Sequence, residues 1–246
     1  MLAAILENMP SDQLVIHDDV TLRDLAPGEV QIKVAHSGVC HSDLSVMNGT
    51  IPQQVPCVLG HEGAGVVTDV GDGVTHVAPG DHVIIAFSPP CGTCPFCTGR
   101  NQPNLCMTGM IAMATSQQFR RGDTVVGSMS GCGTFAEETI VPGFAAIKID
   151  QDVPLDVAAL IGCGVTTGVG AAMNTAKVSP GSSVCIIGAG GVGVAAIQGA
   201  RIAGAAEIVA IDLHEGKLER AKAFGATHGA VPEDVPAVMA EVTGGE

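Results

Sequence analysis

The chain has 246 residues, enough for one large or two smaller domains around a sizeable core. Its formal net charge of −14 would be repelled by nucleic acid and by anionic membrane surfaces, which argues against both as partners. Apolar residues make up 46% and charged residues 15%, a balance that suits a packed globular protein; with no Trp or Tyr, aliphatic side chains and Phe must fill its core.

Residues 1–10 carry Glu7 and no basic cluster, so they do not read as a signal peptide. Nine cysteines without an export signal point to a reducing cytoplasm. The first part of the chain is rich in strand signals. Residues 29–34 alternate polar and apolar after the turn Pro27-Gly28, and residues 65–70 and 82–86 are further strands between Gly/Pro turns. Short strands of this kind predict a barrel or sandwich to about residue 150. Residues 107–133, with Arg120, Arg121 and Gly122, read as a looser surface excursion.

Within that half lies Cys91-Gly-Thr-Cys94-Pro-Phe-Cys97, with Cys106 following. Two-residue gaps let neighbouring thiolates converge on one ion, and Gly92, Pro95, Gly99 and Pro103 permit the turns this needs. Four sulfurs complete tetrahedral zinc and leave no corner for a substrate, so the run predicts a structural site; a disulfide cluster is the alternative.

After Pro154 strands alternate with helices. Residues 157–160 and 168–175 read as helical, followed by strand 183–187, helix 192–203, strand 207–212, helix 215–224, a weak strand 226–231 and helix 235–242. The apolar stretch 178–200 is broken by glycines and fits a buried strand, turn and helix better than a membrane span. Alternation of this kind predicts a parallel α/β unit. The motif Gly188-Ala-Gly190-Gly191-Val192-Gly193 joins a predicted strand to a predicted helix. Gly188 permits the tight turn, Gly190 the approach of a pyrophosphate, and Gly193 close helix–strand packing. Asp212 ends the next strand, where a carboxylate accepts from ribose hydroxyls and repels a 2′-phosphate, favouring NAD over NADP. Lys217 either reaches the same ribose or is a solvated helix lysine.

Three more candidate ligands are scattered: Cys40 in Gly38-Val-Cys40-His41-Ser42-Asp43, His61 in Gly60-His61-Glu62-Gly63, and Cys163 in Gly162-Cys163-Gly164-Val-Thr-Thr167-Gly168. Taken singly, each reads equally as a buried thiol or core histidine. In this order, with the four-cysteine run, the glycine pattern Gly60 through Gly65 to Gly71, and the dinucleotide motif, the chain resembles the zinc-dependent alcohol dehydrogenases of the medium-chain dehydrogenase/reductase superfamily.

That resemblance implies a fold of α/β plus β class: a GroES-like β-rich catalytic domain over residues 1–155, then an incomplete Rossmann-type doubly wound parallel sheet over residues 156–246. It implies two zinc ions and NAD, with Cys40, His61 and Cys163 on the catalytic zinc and Cys91, Cys94, Cys97 and Cys106 on the structural one. It makes Asp43 the partner that orients His61, sets Glu62 beside the metal, and gives Ser42 the alcohol proton. His41 falls near the pyrophosphate and Thr167 against the nicotinamide. The implied reaction joins an alcohol and NAD to an aldehyde or ketone and NADH, with a small-molecule substrate and, for the full-length family, a homo-oligomer. Ser45 departs from the pattern, standing where many members have a histidine, and eight residues separate Cys97 from Cys106 where seven is usual. Members also continue for roughly another hundred residues, so strand 183–187 is expected at an exposed sheet edge. Two rival readings follow: a catalytically inactive zinc-binding fragment, and an enzyme acting on glutathione- or mycothiol-adducted formaldehyde.

Overall fold

The computed structural model describes residues 1–245. The chain forms two compact units, Met1–Cys163 and the remainder from Gly164 onward.

The first unit is built on two sheets. One has the order β2-β1-β5-β9-β8-β3, formed by β1 (Ala3–Leu6), β2 (Val15–His17), β3 (Val20–Leu22), β5 (Cys57–Val58), β8 (Phe119–Arg121) and β9 (Thr124–Ser128). The other has the order β10-β4-β6-β7-β11, formed by β4 (Glu29–Gly38), β6 (Glu62–Val70), β7 (His82–Ile85), β10 (Glu138–Pro142) and β11 (Ala146–Lys148). The predicted strands at 29–34, 65–70 and 82–86 are β4, β6 and β7, the first two longer than expected. Val30 and Ile32 alternate inward and meet Val67, Val83, Ile85 and Val141 in the largest core of this unit. The short helix α1 (His41–Met47) leaves the end of β4; α2 (Pro95–Thr98) lies within the four-cysteine run and carries Cys97, and α3 (Met107–Ala114) follows it.

Residues 107–133 are not a surface excursion. They supply α3, β8 and β9, and bury Met113, Phe119 and Val126. Gln118 is fully buried there; its amide donates to the Gly131 carbonyl and the Thr139 hydroxyl and accepts from Ser116 and Ser128. A buried amide with its bonds satisfied carries no penalty for leaving water, which is how a segment with weak patterning becomes core.

Residues 155–175 form one continuous helix rather than two: α4 (Leu155–Leu160), a π-helical turn Ile161–Val165, α5 (Thr166–Gly170) and a second π-helical turn Ala171–Thr175. By length and composition alone it is long and apolar enough to cross a membrane. In the first unit Ala158 and Ala159 pack on Ala64 and Ile84. Ala172 joins the core of the second.

The second unit is a parallel sheet of order β12-β13-β14, formed by β12 (Ser183–Ile187), β13 (Glu207–Ile211) and β14 (His228–Ala230). Alternation on β13 sends Ile208 and Ala210 to one face, against α6 (Gly191–Ile202) and α7 (Glu215–Phe224). Val209 and Ile211 go to the other face, against α8 (Val235–Thr243). Helices on both faces are the doubly wound arrangement. Among the described residues β12 pairs only with β13, and Ile187 is 83% exposed, so an apolar strand does stand at the edge.

Candidate metal centres and dinucleotide motif

The first cluster is assembled by the ends of three elements. β4 delivers Cys40 to the start of α1, a turn at Gly60 delivers His61 to the start of β6, and the π-helical turn after α4 carries Cys163. Gly60 has φ +86°, and a Cβ there would also press on Thr134 and Phe135, so glycine is required for the turn into His61. One donor atom from each of Cys40, His61, Glu62 and Cys163 lies within 4.8 Å of all the others. His61 is 2% exposed, Glu62 5% and Cys163 9%.

Asp43 ties the cluster together. Its carboxylate accepts from the Cys40 amide at 2.8 Å and the Gly60 amide at 3.1 Å, and lies 3.3 Å from His61 Nδ1. One buried side chain thereby fixes the two segments that carry ligands and selects the Nδ1–H tautomer, turning Nε2 toward the sulfurs. Phe87, which no sequence signal marks, packs edge-on against the imidazole at 5.8 Å. Burial alone would favour neutral His61, yet hydrogen bonds and charge from Asp43 and Cys163 carry its pKa up to about 10. Burial likewise works to raise Cys40, but Ser42 and His61 bring it below the ordinary thiol value. A buried set of two thiols and two carboxylates around one imidazole therefore draws positive charge. Two sulfurs and an imidazole nitrogen are zinc donors, so the residues fit a catalytic zinc. Ser42 Oγ lies 3.7 Å from Cys40 Sγ, and exposed His41 pairs through Nδ1 with the Ser45 hydroxyl at 3.3 Å, one turn along α1.

The second cluster holds Cys91, Cys94, Cys97 and Cys106, again within 4.8 Å of one another. Among the described residues no two cysteines are joined, and the sulfurs are spaced for a shared ion rather than for bonding in pairs. Sulfurs 2.3 Å from a tetrahedral centre stand about 3.8 Å apart; Cys94 lies 3.6 Å from Cys97 and 3.7 Å from Cys106. Backbone amides are aimed at the sulfurs: Cys94 N–H donates to Cys91, while Cys91 and Gly109 N–H donate to Cys106. The Thr93 hydroxyl and the amides of Thr93 and Cys94 bring Cys91 down to about 5, and the Cys91 and Gly109 amides lower Cys106. Burial pushes Cys97 up to about 12, as expected where several thiolates crowd without a cation. The residue between Cys97 and Cys106 beyond the usual seven does not prevent convergence.

In the second unit Gly188 adopts φ +93° after β12, and a Cβ on Gly193 would strike the Gly188 carbonyl, so both glycines are sterically required. Gly190, Gly191 and Val192 then open α6, with space around the glycines. Asp212 follows β13 and accepts from the Ala189 amide at 2.9 Å and the His214 amide at 3.0 Å. These amides hold its carboxyl below the ordinary range, with Lys217 Nζ adding charge from 3.5 Å. Asp212 and Lys217 thus meet at the glycine turn, and Thr167 is exposed on α5.

Residues 26–151 match the family described as alcohol dehydrogenase GroES-like domain, and residues 191–246 match zinc-binding dehydrogenase. S-(hydroxymethyl)glutathione dehydrogenase of Photobacterium damsela subsp. piscicida is 47% identical over 235 residues, which are 89% of this chain and 63% of that protein. The chain therefore spans less than two thirds of the length of such curated relatives. Among solved structures, an alcohol dehydrogenase zinc-binding domain protein from Burkholderia ambifaria aligns with TM-score 0.91 at 34% identity, over 99% of this chain and 68% of that one. Benzyl alcohol dehydrogenase from Acinetobacter calcoaceticus aligns with TM-score 0.85 at 33% identity, over 99% and 67%. The chain belongs to the zinc-dependent alcohol dehydrogenase family of the medium-chain dehydrogenase/reductase superfamily.

Proposed function

We propose that the chain supplies the zinc-holding part and the first dinucleotide-binding strands of an NAD-dependent dehydrogenase that oxidises a primary or secondary alcohol to an aldehyde or ketone. The observation that carries this reading is the convergence of Cys40, His61, Glu62 and Cys163 around an imidazole locked by Asp43. When bound, zinc makes an alcohol hydroxyl more acidic and NAD accepts hydride.

The chain's own residues do the rest. Cys40, His61 and Cys163 hold the metal, and Asp43 holds the proton on His61 Nδ1 and turns the ring, so that Nε2 is the nitrogen offered to the metal. Ser42, beside Cys40, takes the proton released by the alcohol. Phe87 and the low exposure of the ligands keep water away from the imidazole. Gly188 to Gly193 and the first turn of α6 receive the pyrophosphate, with His41 and Thr167 as further contacts to the coenzyme. The Asp212 carboxylate faces the adenosine ribose and disfavours a 2′-phosphate, with Lys217 beside it. The four-cysteine zinc is structural. Free thiols throughout suit the cytoplasm.

A second reading rests on the relatives named for S-(hydroxymethyl)glutathione: the substrate is then a thiol adduct of formaldehyde, whose hydroxyl would undergo the same oxidation. NADH formation by the zinc-loaded chain decides between them. NADH formation with simple alcohols, lost to background in Cys163→Ser, is the expected result. NADH formation only with formaldehyde plus glutathione selects the second reading, and none with either contradicts both.

A further inference from the structure

Glu62 opens β6 directly opposite Gly38, the last residue of β4, in the antiparallel register. Cross-strand neighbours of this kind place their Cβ atoms about 5 Å apart, where side chains meet. Here one member has none. A Cβ on Gly38 would collide with Glu62 Oε2, and would stand 3.0 Å from Leu160 Cδ2 and 3.1 Å from Glu62 Cβ. Gly38 is not among the glycines with positive φ, so its backbone does not demand glycine; the space does. The Glu62 carboxylate occupies that space beside Leu160 and contributes an oxygen to the cluster of Cys40, His61 and Cys163.

We propose that Gly38 is a positioning residue for the metal centre: its missing side chain opens the slot that sets where the Glu62 carboxylate stands, with Leu160 as the opposite wall. The slot stands on geometry alone; its consequence for the metal rests on the catalytic-zinc reading above. An alanine at 38 meets the far end of a flexible carboxylate first, so it displaces that group before it strains the strand. Gly38 lies two residues before Cys40, on the strand that brings this ligand in, which couples the slot to the cluster through a rigid element.

Gly38→Ala, Glu62→Ala, Glu62→Asp and the combined variants test this, with cobalt(II) loaded beside the retained four-cysteine zinc. Gly38→Ala should shift the visible bands of the bound cobalt and weaken its binding about 10- to 100-fold. The same change in a Glu62→Ala background should alter neither. Combining Gly38→Ala with the shorter Glu62→Asp should recover part of the spectrum. Melting of the zinc-loaded proteins should show a loss of Tm from Gly38→Ala only where Glu62 is present. Equal effects in both backgrounds, or none in either, overturn the proposal. A wild-type chain that takes up no metal beyond the four-cysteine zinc overturns the catalytic-zinc reading instead, and the melting comparison still decides the slot.

Discussion

At the scale of single residues, Asp43 does the most with the fewest atoms. Two amides and an imidazole point at one buried carboxylate, so an amide side chain in its place must turn an N–H₂ toward at least one donor. Asp43→Asn should therefore lower metal affinity at the Cys40–His61–Cys163 cluster about 10- to 100-fold while the four-cysteine zinc persists. Zinc per chain after dialysis against a graded chelator reads this directly. Glu29 illustrates a stability role. Its carboxylate makes a two-pronged pair with Arg23 at 2.6 and 2.7 Å and accepts from the Ala26 amide, pinning the entry to β4. Burial acts to raise its pKa, but Arg23 and Ala26 together hold it below the ordinary 4.5. Because the folded value is the lower one, the contribution is complete above the unfolded pKa and is lost as pH falls through the folded one. Glu29→Gln should cost up to about 1 kcal/mol at pH 7 and little in strongly acidic solution. Denaturant melts at several pH values check this, and a pH-independent difference would refute it.

At the scale of elements, the four-cysteine run and the helix over residues 155–175 show what sequence patterning can and cannot convey. The run was legible because its spacing alone defines a metal knuckle, and sulfur contacts near 3.7 Å match that reading. The cluster ends at Cys106, which caps α3, and α3 delivers Met113 to the core. Cys94→Ser should thus release one zinc, reduce folding yield and lower Tm by about 5 °C or more, as measured by calorimetry with metal analysis. Residues 107–133 misled because Gly, Arg and Gln interrupt any apolar period; burial of Gln118 depends on partners from four other positions that no local pattern announces. Patterning marks helix over 157–160 and 168–175 but not between them, where Gly162 and Gly164 lie. The chain instead carries the helix through π-helical turns, one of which holds Cys163; such turns are frequent at functional sites. Gly38 and Phe87 were out of reach for a related reason: their roles arise from cross-strand register and a ring contact, both tertiary.

At the scale of the whole molecule, the chain joins a β-rich unit with two sulfur-containing clusters to a parallel sheet opened by a dinucleotide motif. The order of the motifs made the family legible, because zinc knuckle, scattered ligands and glycine turn each impose separate steric demands that agree. Substrate identity is not written in the ligand set, since a simple alcohol and a hydroxymethyl thioether offer the same hydroxyl to it. In the proposed function the two clusters are separate metal sites, one for chemistry and one for architecture. Zinc analysis of wild type and His61→Ala tests this most directly. Two zinc ions per chain in the wild type and one in His61→Ala, with the fold retained, are predicted; loss of both ions, or retention of both, would contradict it.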